Sequence, residues 1–223
     1  MIYLYWGENS FLIQEKLAKV KETYAARFAS GLNFYRFDLE ENFEDLKSVL
    51  ESQSMFAEKK LVFLRGVFSV SESKWEEVNK ILDSISGLEK TDGIVLVVYD
   101  FVSPTSVILK KRLAFFTKKG KTEEFKNYDK PKLINWVENK AKELNLKIDK
   151  PNIFYLVNNL GADVQRLDNE LKKLAAYKNG LEVSQSDIDT LVNFEIDSNN
   201  FKIIDALVAK NPAGALKSSQ RAH

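Results

Sequence analysis

Two short stretches of this 223-residue sequence contain the residue types that phosphate chemistry uses. The first is Gly7-Glu8-Asn9-Ser10-Phe11-Leu12, which follows an apolar-aromatic run and precedes a helical pattern. A glycine turn at a helix N-terminus cradles phosphate with free backbone amides and the positive end of the helix dipole. This turn has a single glycine and no lysine, and Glu8 stands where phosphate charge would sit, so it repels a nucleotide. The second stretch, Gly120-Lys121-Thr122, looks like the end of G-x-x-x-x-G-K-T, but Phe115 occupies the place of the first glycine. A helix precedes it and a strand follows, the reverse of the order the motif needs, and the sequence predicts Gly120 to be a helix C-cap. Binding Mg²⁺ beside a nucleotide requires acidic residues after a buried strand. Leu64 is followed by Arg65-Gly66, and Asp100, after a second such strand, stands alone as a turn or cap residue. The chain has no cysteine, and its one histidine, His223, is the last residue. Thiol catalysis, disulfides, zinc ribbons and histidine-based sites are thereby excluded. No catalytic residue, cofactor or metal is expected: the N-terminal half has the form of an ATPase without its chemistry.

The elements that would position such groups are legible. Ile2–Trp6 is a strand, and Ile13, Leu17, Val20, Tyr24 and Phe28 recur at helical spacing. Strand Phe34-Tyr35-Arg36-Phe37 precedes a helix with Phe43, Leu46 and Leu50 on its inner face. Strand Leu61-Val62-Phe63-Leu64 precedes a helix bearing Trp75, Val78, Leu82 and Ile85. Ile94–Tyr99 is an unbroken apolar run, as suits a strand buried on both faces. Ser103-Pro104 is predicted to open a helix with Leu109, Leu113 and Phe116, and Thr122–Phe125 to form the last strand. Alternating strands and helices imply a parallel sheet covered on both sides.

After Tyr128 only helical periodicity remains. The predicted organisation is an α/β domain over 1–128, a small all-α helical bundle over 129–196, and the start of a third helical region over 197–223. Within the bundle Leu133, Val137, Ala141 and Leu144 mark one helix and Pro151 opens another. A third carries Leu167, Leu171 and Leu174 and stops at Gly180, and Ser184 with Asp187 offers an N-cap. The third region ends abruptly after Asn211-Pro212, which predicts a truncated or shortened chain.

Composition sets further bounds. Apolar residues make up 44% and charged residues 29%, enough for packed cores beneath a solvated surface. Lys+Arg number 33 against 32 Asp+Glu, so no global field draws the chain to nucleic acid or to an anionic membrane. No apolar run approaches the ~20 residues of a membrane helix. A cytoplasmic chain without membrane contact is expected.

Four stretches, taken in order, resemble one family. Tyr3-Leu4-Tyr5-Trp6-Gly7-Glu8-Asn9-Ser10-Phe11-Leu12-Ile13 looks like its opening strand and Gly-Glu/Asn-x-Phe-Leu turn. Ser54-Met55-Phe56-Ala57-Glu58-Lys59-Lys60-Leu61-Val62 is similar to its Ser-Leu-Phe segment before an internal strand. Gly161-Ala162-Asp163 through Glu170-Leu171-Lys172-Lys173-Leu174 resembles its second-domain signature, and Asn200-Phe201-Lys202-Ile203-Ile204-Asp205-Ala206-Leu207 the start of its third domain, the collar. That family is the delta subunit of bacterial DNA polymerase III, an AAA+-type clamp-loader subunit without a functional phosphate loop. The resemblance implies an AAA+/RecA-like first domain that binds the sliding clamp (the beta subunit) and helps open it for loading on primed DNA, while neighbouring subunits bind ATP. It also implies that other loader subunits dock through the collar. With the collar missing, an isolated monomer is expected. Two rival readings are a degenerate P-loop-like NTPase or kinase and a scaffold of similar fold outside replication.

The family's clamp-contacting Leu-Phe pair falls on Met55-Phe56, beside Ser54. Methionine's flexible thioether can fill the same kind of apolar pocket as leucine. Read from the residues alone, the pair is compatible both with the core of the preceding helix and with an apolar knob rimmed by charge. Burying two such side chains contributes about 3–6 kcal/mol, short of the roughly 12 kcal/mol of a nanomolar complex, so surrounding contacts must add a comparable share. Lys110-Lys111-Arg112, with Lys118, Lys119 and Lys121, form the densest basic stretches. They read as a solvated helix face or as a contact to the backbone of primer-template DNA. Trp75 and Trp136 read as core.

Overall fold

The computed structural model describes residues 1–28, 33–52, 58–86 and 93–194. Ser54, Met55, Phe56 and the predicted third region, 197–223, lie outside the described residues. The chain divides into two compact units, Met1–Asn127 and Tyr128–His223.

The first unit is built on five parallel strands, β1 (Ile2–Trp6), β2 (Phe34–Asp38), β3 (Lys60–Arg65), β4 (Ile94–Asp100) and β5 (Lys121–Glu124), in the order β2-β3-β4-β1-β5. The helices are α1 (Ser10–Arg27), α2 (Leu46–Glu51), α3 (Glu72–Ser86) and α4 (Val107–Lys119). From β1 the chain crosses to the far edge at β2, then returns through β3 and β4 and passes β1 to reach β5. Reversing direction under a right-handed crossover rule moves the connecting helix to the other face. Accordingly α1 covers one face alone, and α2, α3 and α4 share the other.

Side-chain alternation divides the core in the same way. Leu4, Val62, Leu64, Leu96 and Val98 pack with Leu46, Leu50, Trp75, Val78, Leu82 and Phe116. Tyr5, Leu61, Phe63, Val97 and Tyr99 pack with Ile13, Leu17 and Tyr24 of α1. A helix about 10 Å wide cannot roof five strands spaced about 4.8 Å apart, and grooves of about 820 and 420 Å³ flank α1. At the sheet edge, β5 buries none of its four residues, Lys-Thr-Glu-Glu. Charged edges of this kind resist pairing with another chain.

Two boundaries of the first unit differ from the sequence expectation. Helix α4 begins at Val107, because the Ser106 hydroxyl accepts from Leu109 N at 3.2 Å and caps it there, whereas Ser103-Pro104 lies in the preceding loop. Strand β5 is Lys121–Glu124, one residue earlier than read.

The second unit contains α5 (Lys130–Glu143), α6 (Lys150–Leu160), α7 (Val164–Lys178) and α8 (Gln185–Leu191). Asp129, Asp149, Asp163 and Ser184 are their N-caps, each accepting from a first-turn amide. Both α5 and α6 start from Asp-Lys-Pro, with proline where a helix start tolerates its missing N–H. The C-cap of α7 is Asn179, left-handed at φ 43°, one residue before the expected Gly180. Asp168 of α7, 2% exposed, pairs with Lys140 of α5 at 3.1 Å and Lys172 at 2.6 Å, joining two neighbouring helices. Among the described residues no helix is long and apolar enough to cross a membrane.

Candidate functional site

The turn that opens α1 is already occupied by the protein's own backbone. Gly7 adopts φ 139°, and a Cβ there would lie 2.3 Å from the carbonyl oxygen of Phe125. Phe125 O accepts from Asn9 N at 3.1 Å, while Phe125 N donates to Trp6 O at 2.7 Å. The Asn9 side chain, itself buried, accepts from Leu12 N at 3.1 Å. Two of the amides a phosphate would recruit are thus committed, and the chain after β5 presses on the turn that a phosphate would occupy.

Gly120 is the C-cap of α4, its amide donating to Phe116 O at 2.8 Å. Its φ of −156° is extended backbone open to any residue. What selects glycine is proximity, since a Cβ would meet Ile2 O at 2.4 Å. Lys121 and Thr122 then run along β5, where both are exposed.

Asp100 ends β4 and is 3% exposed. Its Oδ2 accepts from Phe68 N at 2.7 Å, and Ser69 Oγ lies 3.5 Å from Oδ1. Burial raises its pKa, partly opposed by those hydrogen bonds, one from Phe101, and the charge of Arg65. The carboxylate fixes the loop after β3, and among the described residues no group of three or more potential metal ligands assembles.

The basic stretch on α4 separates into two kinds of residue. Lys110 and Lys111 are exposed. Arg112 departs from the expectation of a solvated or DNA-facing cation: it is 3% exposed and turned into the unit. It donates to Val67 O at 2.8 Å, Val70 O at 3.0 Å and Glu72 Oε2 at 2.7 Å, and its guanidinium lies 5.2 Å from the Trp75 ring centroid. Lys119 pairs with Asp83 and lies over the Phe115 ring. Trp75 is core at 7% exposed, while Trp136 is half-buried.

Sequence reasoning passed over Lys60. It is 3% exposed, and its ammonium bonds to Val49 O, Ser52 O and Ser52 Oγ at the end of α2. A signal was present, since Lys60 is in phase with the inward-facing Val62 and Leu64. It follows, in sequence, residues 53–57, which contain Ser54, Met55 and Phe56 and lie outside the described residues.

The comparisons with known proteins agree with the sequence resemblance. Residues 3–100 match the family model described as DNA polymerase III, delta subunit, and residues 131–190 match a model described as a middle domain. The Bacillus subtilis DNA polymerase III subunit delta is 22% identical, the match covering 97% of this chain and 63% of that protein. Among solved structures, the Bacillus subtilis DNA clamp loader delta protein has TM-score 0.63 at 21% identity, covering 99% of this chain and 66% of that one. Domain III of the Thermotoga maritima replication initiation protein DnaA follows at TM-score 0.51 and 15% identity, covering 86% and 82%. A Thermotoga maritima RuvB variant gives 0.54 at 12%, covering 93% and 69%. The chain therefore has an AAA+-like fold followed by helices, resembles the delta subunit along nearly all of its length, and spans just under two thirds of the delta proteins it matches.

Proposed function

We propose that this chain, alike to the delta subunit of DNA polymerase III, is a clamp-loader subunit that binds the sliding clamp and helps open it without binding ATP itself. The observation that carries the reading is the turn at the head of α1. An AAA+-like fold has its nucleotide turn packed against Phe125, with no lysine and with its Asn9 and Leu12 amides committed. A fold kept without the residues for its chemistry supports a role in holding partners. Met55 and Phe56, beside Ser54, are the clamp contact in this reading. Lys110 and Lys111 supply a sequence-blind phosphate contact to primer-template DNA, and Arg112, being buried, is not part of it.

The test uses the purified chain and a purified bacterial sliding clamp. The chain is expected to capture the clamp. Met55→Ala with Phe56→Ala is expected to abolish capture while leaving helicity and melting temperature within a few degrees. Loss of fold in the double variant, or capture that survives it, refutes the assignment. Calorimetry with Mg-ATP completes the test, because micromolar binding would return the chain to the nucleotide-using class.

A further inference from the structure

The smaller of the two grooves beside α1, about 420 Å³, runs between that helix and the β2 side of the sheet. One wall is the stripe of α1 that ends at Lys21. The sheet supplies alternate residues of neighbouring strands: Phe34 and Arg36 of β2, Phe63 and Arg65 of β3, and Tyr99 of β4 with Phe101 just beyond it.

These side chains are aromatic or cationic, and no acid lines the groove. Lys21 Nζ lies 4.8 Å from the Phe34 ring centroid, and the Arg65 guanidinium 5.4 Å from that of Phe101, so two of the cations are held against rings. Arg65 also pairs with Asp38 at 3.1 Å. Arg36, opposite Phe63 in the strand register, is exposed and has no ion pair or hydrogen bond among the described residues. Three cations against one paired carboxylate leave a local excess of positive charge. The wall holds a second unmet need. Tyr99 is 1% exposed, and its hydroxyl has no hydrogen-bond partner among the described residues. Buried polar atoms are ordinarily satisfied, and phenylalanine would fill the same space without leaving an oxygen unpaired.

We propose that this groove binds a small ligand in which a phosphate is joined to a planar aromatic ring, a nucleoside monophosphate in chemical class. Its volume lies within the ~300–1,000 Å³ of small-molecule sites. Lys21 and Arg36 suit the phosphate, a guanidinium matching its oxygens in charge and geometry. The Arg65 plane and the aromatic walls suit the ring, since guanidinium groups stack on π-systems. The Tyr99 hydroxyl gains a polar partner when the groove is filled. The site makes no use of the turn at the head of α1, requires neither magnesium nor a triphosphate, and is independent of the clamp reading.

The experiment titrates the full chain with adenosine monophosphate, adenosine and inorganic phosphate in separate arms, without magnesium and at low salt, followed by NMR. Adenosine monophosphate is expected to bind with Kd near 1 mM, because partly exposed charge contacts each contribute little, and to shift signals of the groove residues. Adenosine and phosphate alone bind more weakly. Lys21→Gln with Arg36→Gln, both at exposed positions, is expected to keep the melting temperature and weaken binding about tenfold. Tyr99→Phe is expected to melt no lower than wild type and to bind several-fold more weakly. The proposal is overturned if adenosine monophosphate leaves the groove signals unmoved, or if either variant binds it like wild type. It is overturned as well if phosphate alone binds equally tightly, which would make this a simple anion patch. A thymidine oligonucleotide that occupies the same residues far more tightly than the mononucleotide would also overturn it, in favour of a nucleic-acid contact.

Discussion

Arg112→Met separates the two readings of the basic stretch on α4 by magnitude. The methionine keeps an unbranched apolar stem like that of the arginine but removes its donors, leaving Val67 O and Val70 O buried without their partner. Hydrogen bonds from a charged donor contribute about 1.5–3 kcal/mol each, giving roughly 3–6 kcal/mol for the two carbonyls. The Glu72 contact adds little, because that carboxylate is 55% exposed and water screens it. Some of the loss is recovered as water reaches the loop, so the expected destabilisation is about 3–5 kcal/mol. In a unit of this size that lowers the melting temperature by roughly 10–20 °C. Urea denaturation followed by circular dichroism measures the change, alongside Lys110→Ala/Lys111→Ala, expected within about 0.5 kcal/mol of wild type. The reasoning is refuted if Arg112→Met is no less stable than wild type, or if it weakens DNA binding in proportion to salt while leaving stability untouched.

Gly120→Ala places a methyl group 2.4 Å from Ile2 O and is expected to cost about 1–3 kcal/mol, the usual range for forced overpacking; thermal melts will show it, and a neutral variant would disprove the close approach. The Asp187 carboxylate is held at about 2 by the hydrogen bond from Lys178 and those from Ser184. A carboxyl whose folded pKa is depressed contributes stability above its unfolded value near 3.8 and loses it as pH falls through about 2. Melting temperatures of wild type and Asp187→Asn should therefore converge in that acidic window and separate above it. Ser184→Ala, which removes half of the same capping box, is expected to cost about 1 kcal/mol, read by chemical denaturation.

The parts of this fold that sequence discloses are those with a period. Ile94–Tyr99 read as a doubly buried strand because no polar residue interrupts it, and the helices of the second unit read from spacings of three and four. The structure refined the edges where a single cap decides, at Ser106 and Asn179. Charged residues used inside the core were not legible. Arg112 lies on the inward stripe of α4 three residues after Leu109 and four before Phe116, and Lys60 is in phase with Val62, yet composition assigns such residues to solvent. Only the carbonyls they reach, Val67, Val70, Val49 and Ser52, reveal their roles, and those acceptors are scattered through distant loops and helix ends. The helix count per face was also hidden, because it follows from strand order, which no local pattern specifies.

Parallel pairing gives β1 a particular history during synthesis. Its five residues, Ile-Tyr-Leu-Tyr-Trp, carry no charge and adhere readily to other strands. Their partners are Leu96 and its neighbours on one side and Lys121–Glu124 on the other. At a translation rate of about 5–20 residues per second, the ribosome needs roughly 5–20 s to deliver the first of these. For that interval the emerging polypeptide carries β1 without either of the strands it pairs with in the folded unit.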